Sequence, residues 1–160
     1  MGTASSGENL TVYGASMTIK SILARKSALV PVIEPTAPVE AALVHLEQDE
    51  ISALIVSSDA ERIEGILTAA DIARGLHKYG ADIVGLPVNR LMTRDVKTCE
   101  VSASIADVHK LMSEHRIRHV PVTRNGALSG LINILDVIQG RLDDSETDAK
   151  SLRDYVAGRA

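Results

Sequence analysis

Gly65-Ile66-Leu67-Thr68-Ala69-Ala70-Asp71 is the stretch on which the reading of this chain turns. A glycine opens a short aliphatic run, a hydroxyl residue follows where a helix would be capped, and a carboxylate stands three residues further on. The spacing predicts a buried strand running straight into a helix, with Thr68 and Asp71 placed to satisfy its first unpaired amides and to complement its dipole. Such a start is common and needs no function to explain it. This one is repeated: Gly130-Leu131-Ile132-Asn133-Ile134-Leu135-Asp136 has the same order 65 residues later.

Outward from these two stretches the repeat extends in both directions. Before the first, Ile19, Ile22 and Leu23 form a short amphipathic piece, and Leu29 to Ile33 reads as a strand. Thr36 and Pro38 mark a helix start, after which Val39, Ala42, Leu43 and Leu46 share one face until the acidic residues from Glu47 to Glu50. Ser52 to Val56 and Ile63 to Leu67 are paired strands, and a helix follows from Ala69 to about Lys78. Gly80, Gly85 and Pro87 then punctuate a connection. The order begins again with Val88, Leu91 and Met92. Lys97 to Val101 reads as a strand, Ser102 as the cap of a helix carrying Ile105, Val108 and Met112, and Val120 to Thr123 and Ala127 to Ile132 as strands joined by the hairpin signal Asn125-Gly126. Ile134, Val137, Ile138 and Leu142 line the closing helix. Met92 follows Leu23 by 69 residues, Ile105 follows Val39 by 66, and Asp136 follows Asp71 by 65, so the register drifts only where loops change length. A unit of about 60 residues buries its own sheet poorly, so the copies are expected to pack on each other. The division is a mobile leader over 1–17, repeats over 18–80 and 88–142, and an acidic linker with a C-terminal helix over 143–160.

Composition narrows the classes of function. There is no Trp or Phe and only three Tyr among 160 residues, so the core is aliphatic and no aromatic platform can stack unpaired bases. A net charge of -4 gives no general attraction to phosphate backbones, which argues against nucleic acid as a partner. The lone Cys99 cannot form an internal disulfide and falls inside a strand, as a reduced, half-buried residue would. The first eighteen residues lack Lys, Arg and an apolar block, and no later run has membrane-spanning length, which points to the cytoplasm and away from membranes.

A strand, helix, two strands and helix given twice, with Gly-x-x-Thr-x-x-Asp at the last strand-to-helix junction, resembles the cystathionine-β-synthase (CBS) domain family. The second copy carries the resemblance furthest, with Leu91-Met92-Thr93 at its start, Glu114-His115-Arg116-Ile117-Arg118-His119-Val120-Pro121-Val122 in its middle, and Gly130 to Asp136. The resemblance covers about Thr18 to Leu142. It implies an α/β (α+β) fold of two tandem β-α-β-β-α repeats packed sheet to sheet about a pseudo-twofold axis, the Bateman module, with two clefts that bind adenine nucleotides or related adenosyl ligands. It also implies that Asp71 takes the ribose hydroxyls, that Thr68 lies near the phosphate, that Arg116, Arg118 and His119 reach the phosphates from the other copy, and that Val120 and Pro121 after them belong to the nucleotide-binding wall. Val30, Pro31 and Ala53 are expected to wall the adenine in the Asp71 cleft. Asn133 and Asp136 form the counterpart cleft, where Asn133 in place of a hydroxyl residue and the bulk of Leu135 disfavour phosphate.

The residues suggest no catalytic set. His115 and His119 have the four-residue spacing of zinc ligands on a helix, but a helix is expected to end between them, and neither a Cys pair nor an HExxH accompanies them. No Ser, His and Asp grouping suggests a triad. The expected role is a non-enzymatic regulatory module for AMP, ADP, ATP or an NAD-like ligand, forming a homodimer and acting on a separate effector protein. The alternative is an interaction module with unoccupied clefts, suggested by the apolar stripe Leu152, Tyr155 and Val156. A simpler reading of that stripe is docking of the tail on its own module.

Overall fold

The computed structural model describes residues 17–26, 29–48 and 51–158. The expected leader as far as Ser16 lies outside the described residues, as do Asp49 and Glu50 of the acidic stretch. The elements are α1 (Ile19–Arg25), β1 (Val32–Ile33), α2 (Val39–Leu46), β2 (Ala53–Val56), β3 (Gly65–Thr68) and α3 (Ala69–Tyr79), then 3-10 turns over Gly80–Gly85 and Val88–Arg90. The second repeat follows with β4 (Cys99–Glu100), α4 (Ile105–His115), β5 (His119–Arg124), β6 (Ala127–Asn133) and α5 (Ile134–Ala157). Each repeat builds one three-stranded sheet with its middle strand parallel to the first and antiparallel to the third. Ala53 pairs with Thr68 in the first sheet as His119 pairs with Asn133 in the second, so both motifs leave their sheets at the same place. The β5–β6 hairpin turns on Asn125 and Gly126 with φ of 53° and 82°, the pair of positive angles that a type I′ turn requires.

Both faces of the central strands are buried. Leu54 and Val56 enter one apolar core and Val120 and Val122 the other, while Ala53 and Ile55 alternate to the opposite, equally buried face. On that side the repeats meet, with the Leu128 amide donating to the Glu61 carbonyl at 2.8 Å. Sheet-to-sheet packing is thus the architecture.

The cores, however, exchange their leading segments. Ile19 and Ile22 of α1 lie in the second core with Ile105, Val108 and Met112, whereas Val88 and Met92 lie in the first with Val39, Leu54 and Leu67. Isolated bridges fix the exchange, Thr18 with Ser104 and Pro38 with Pro87. The motif glycines make room for it. A β-carbon on Gly65 would stand 2.5 Å from Met92 Sδ and 3.0 Å from the Thr93 carbonyl oxygen, and one on Gly130 would stand 2.6 Å from Leu23 Cδ2. Gly65→Ala is therefore expected to cost about 1–3 kcal/mol by overpacking against a backbone that cannot step aside. Chemical denaturation of the variant checks this, and an unchanged midpoint would mean that the crossing segment yields freely.

Three local expectations are corrected. The cap of α4 is Ser104, whose Oγ accepts from the Asp107 amide at 3.1 Å, and Ser102 stands before it in a turn. Strands β1 and β4 are two residues each, shorter than the runs expected around them. The acidic segment after Leu142 lies in a helix, since α5, 24 residues from Ile134 to Ala157, runs through it. Acidic residues there interleave with Arg141, Lys150 and Arg153, and no Gly or Pro interrupts the run from 141 to 157.

Candidate functional site

At the C-terminal end of β3 the chain turns into α3, and the Asp71 carboxylate folds back over the junction. Its Oδ2 accepts from the Thr68 amide at 2.8 Å and from Thr68 Oγ1 at 2.7 Å; its Oδ1 accepts from Thr93 Oγ1 at 3.3 Å and from the Arg74 guanidinium one turn along. Asp71 is buried, yet four donors surround it, which is the condition for holding a carboxylate out of water. Thr93 comes from the exchanged segment and is pinned beside β3 by mutual backbone hydrogen bonds with Ile66, 3.0 and 2.9 Å long.

This carboxylate lines a cavity of about 560 Å³, a size that suits a small ligand. Its walls bring Thr68, Asp71 and Arg74 from the first repeat together with Arg116, Arg118 and His119 from the second, and Ile66 and Ile117 supply apolar surface. Three arginines thus share the space with one acid. Arg116 closes α4 in the left-handed conformation, φ 52° and ψ 40°, where Gly or Asn is usual. Keeping a long side chain there costs about 1–2 kcal/mol of backbone energy.

The Asp136 junction is built alike but answered differently. Asn133 Oδ1 accepts from the Asp136 amide at 2.9 Å, and Asp136 Oδ2 accepts from the Asn133 amide at 2.9 Å and from Lys26 Nζ at 2.7 Å. Beside Asn133, a cavity of about 300 Å³ is walled by Leu23, Leu29, Ile51 and Leu131, with Lys26, Gln48 and Ser129 as polar groups. Val30, Pro31 and Ala53 line this cavity and not the one at Asp71, contrary to the expectation from sequence. The strand order explains it: β1 lies across β2 from β3, so the residues leading into β1 face away from Asp71. Val120 and Pro121 are a second correction. Both are buried within β5 and form the wall of neither cavity, Val120 because it belongs to the core and Pro121 because it points to the face between the sheets.

Between the cavities stand Ser52 and His119, joined by a hydrogen bond of 2.8 Å between Ser52 Oγ and His119 Nε2, and both residues line both cavities. Burial, then the positive charges of Lys26 and Arg118, hold the imidazole below its ordinary pKa of 6.5, with Asp136 pulling weakly the other way. The ring is therefore a neutral hydrogen-bonding group at pH 7. Arg118 precedes β5, so strand alternation does not separate it from His119, and the two side chains share the Asp71 cavity. Sequence reading missed Ser52, Arg74, Thr93 and Lys26. Arg74 carried a signal, its three-residue spacing from Asp71 on a helix; the others are brought in by the exchange and the stacking of the repeats. His115 is at the exposed end of α4, and among the described residues no three His, Cys, Asp or Glu side chains are grouped to hold a metal ion. Burial, followed by Glu100, pushes the Cys99 thiol up to about 11, which leaves it unreactive at neutral pH.

The CBS domain model matches residues 20–78 and 88–143. A CBS-domain containing protein from Agrobacterium tumefaciens superimposes with a TM-score of 0.73 at 31% identity, covering 78% of this chain and 99% of that one. A mitochondrial CBS domain-containing protein of Arabidopsis thaliana is 26% identical over 121 residues, 73% of this chain and 59% of the relative. Arabinose 5-phosphate isomerase of Escherichia coli is 28% identical over 118 residues, 73% of this chain and 36% of that enzyme. This chain therefore spans less than two thirds of the length of each of these last two relatives. Among the described residues no helix is long and apolar enough to cross a membrane.

Proposed function

The chain belongs to the CBS-domain family, and on that premise we propose that it is a regulatory module, without catalytic activity of its own, that binds an adenine nucleotide in the Asp71 cavity and signals its occupancy to an effector protein. The observation that carries this reading is the pairing in one cavity of a buried carboxylate with three arginines from two repeats. A carboxylate can accept from both hydroxyls of a ribose, and arginine forks match phosphate oxygens. The four donors already on Asp71 assign a role to Arg74. Its side chain is 69% exposed, so it can leave Asp71 Oδ1 to a ribose hydroxyl and turn its charge to the phosphates. Ile66 and Ile117 are the apolar surfaces left for the base. A second, weaker site is the cavity beside Asn133, walled by Val30, Pro31 and Ala53, where Lys26, paired with Asp136, supplies the cation. A ligand bridging the two repeats would alter how they sit on each other, and a homodimer would pass that change on.

The first test is thermal melting with AMP, ADP, ATP and NAD. A ligand at about 100 times its dissociation constant is expected to stabilise the fold by about 2.7 kcal/mol. If millimolar concentrations of all four leave the melting temperature unchanged, the interaction-module reading takes over. That second reading has its own support, for Asp71 is saturated by protein donors and needs no ligand to satisfy it.

A further inference from the structure

The cavity beside Asn133 differs from its counterpart in size as well as in polarity. An apolar cavity of about 150 Å³ holds a benzene ring, so about 300 Å³ suits a ligand of about ten to twelve non-hydrogen atoms. A nucleoside monophosphate has about twice as many and matches the Asp71 cavity of about 560 Å³ instead. Asp136 is not part of the smaller cavity's wall, and among the described residues no other carboxylate is, so no side-chain acid there takes a ribose diol. On both counts a whole nucleotide fits it poorly. Leu23, Leu29, Val30, Pro31, Ile51 and Leu131 form an aliphatic lining. Leu29 is 94% exposed although it belongs to that lining, so an apolar ligand seated there would take it out of water.

The polar side of the cavity is rich in donors. Lys26 Nζ has three hydrogens, of which Asp136 Oδ2 at 2.7 Å and the Leu131 carbonyl at 3.3 Å account for two. The third is left for whatever occupies the cavity. Asn133 turns its side-chain oxygen to the Asp136 amide, 2.9 Å away, which leaves its NH2 group as a further donor. Asp136 does not cancel the charge of Lys26 on this side. It stands in the first turn of α5, where the helix dipole and the Asn133 amide already compensate it. At His119, which shares the wall, Lys26 lowers the imidazole pKa more than Asp136 raises it, so the potential of the pair is positive there. Positive donors above an aliphatic lining match an anion with an apolar body. We propose that this cavity binds a small hydrophobic monocarboxylate, with its carboxylate on Lys26 and Asn133 and its chain against Leu23, Ile51 and Leu131. The assignment does not rest on nucleotide binding at Asp71.

Octanoate, with about ten non-hydrogen atoms, is a ligand of the right size, and octanamide is its uncharged counterpart. Calorimetric titration of the full-length protein at neutral pH is expected to show saturable binding of octanoate at one site, with octanamide bound roughly tenfold more weakly for want of a charge-assisted hydrogen bond. The amide NMR signals of Gly130 and Leu131 should shift with octanoate, and those of Thr68 and Asp71 should not. Lys26→Met, which keeps the stem and removes the charge, should raise the octanoate dissociation constant roughly tenfold and leave octanamide unchanged, whereas Lys26→Arg should keep the preference for the acid. Ser129→Phe, at a half-buried position of the wall, should abolish binding of both compounds with Lys26 intact. The decisive comparison needs only the wild type. No saturable binding of octanoate at millimolar concentration, equal affinity for octanoate and octanamide, or shifts centred on Asp71 would each overturn the proposal.

Discussion

Asp71→Asn is expected to raise the dissociation constant of the tightest adenine nucleotide roughly tenfold to a hundredfold, as loss of hydrogen bonds to a charged group worth about 1.5–3 kcal/mol requires. Asn keeps the shape but can accept through one oxygen only, and that oxygen is claimed by the Thr68 amide, 2.8 Å from Asp71 Oδ2. The ribose is then left without its acceptor. Asp136→Asn is expected to matter less, because Asp136 does not line the neighbouring cavity, and that cavity holds Lys26 as its only arginine or lysine, against three arginines around Asp71. Calorimetric titration of both variants decides the ranking. If Asp136→Asn causes the larger loss, the principal site is the one walled by Val30, Pro31 and Ala53. Melting without ligand must accompany the titrations, since Asp71 also closes the start of α3 and a helix cap is worth about 0.5–2 kcal/mol.

The repeat, its element types and both strand-to-helix junctions were legible in the sequence because each rests on local chemistry. Gly65 opens β3 and Gly130 lies within β6, Thr68 and Asn133 stand at caps, and Asn125-Gly126 makes a tight hairpin. What was not legible depends on which element crosses to which core. Nothing in Ile19 or Ile22 says that they serve the second repeat, and from that crossing follow Lys26 at Asp136 and, in the other direction, Thr93 at Asp71. The assignment of Val30 and Pro31 to the wrong cavity has the same origin. A parallel edge strand can be laid on either side of a hairpin, and only the lateral order of the sheet, β1-β2-β3, decides which cleft its approach segment faces. Ser52 became visible only when the two sheets were stacked and its hydroxyl met His119. The continuity of α5 was hidden by composition, because its acidic residues resemble a linker although no Gly or Pro breaks the helix among them.

Replacing Arg116 and Arg118 together with Ala is expected to lower affinity for AMP and ATP by more than tenfold while leaving adenosine nearly unaffected. Both arginines reach the Asp71 cavity from the second repeat, and a charged hydrogen bond to a phosphate is worth about 1.5–3 kcal/mol. Adenosine presents the same base and ribose to Ile66, Ile117 and Asp71 but no phosphate, so it isolates the contribution of charge. The loss should be larger for ATP than for AMP, and it should shrink as salt is added. His119 gives the experiment a second axis. In the wild type its imidazole is neutral at pH 7, held below 6.5 chiefly by burial and further by Lys26 and Arg118. Its positive charge can assist phosphate binding only as pH falls below that ordinary value. Because the folded pKa is depressed, its stabilisation of the fold is complete above about pH 6.5 and is lost as pH falls toward the folded value, so ligand-free melts are the control. Removing Arg118 removes one of the charges that depress it, and the acid-side gain in AMP affinity should therefore begin at higher pH in the double variant than in the wild type. Titrations with adenosine, AMP and ATP between pH 5.5 and 8 at fixed salt read all of these. Equal losses for adenosine and AMP at every pH would show that the arginines shape the cavity without touching phosphate, and the reading of the second repeat as the source of phosphate contacts would fail.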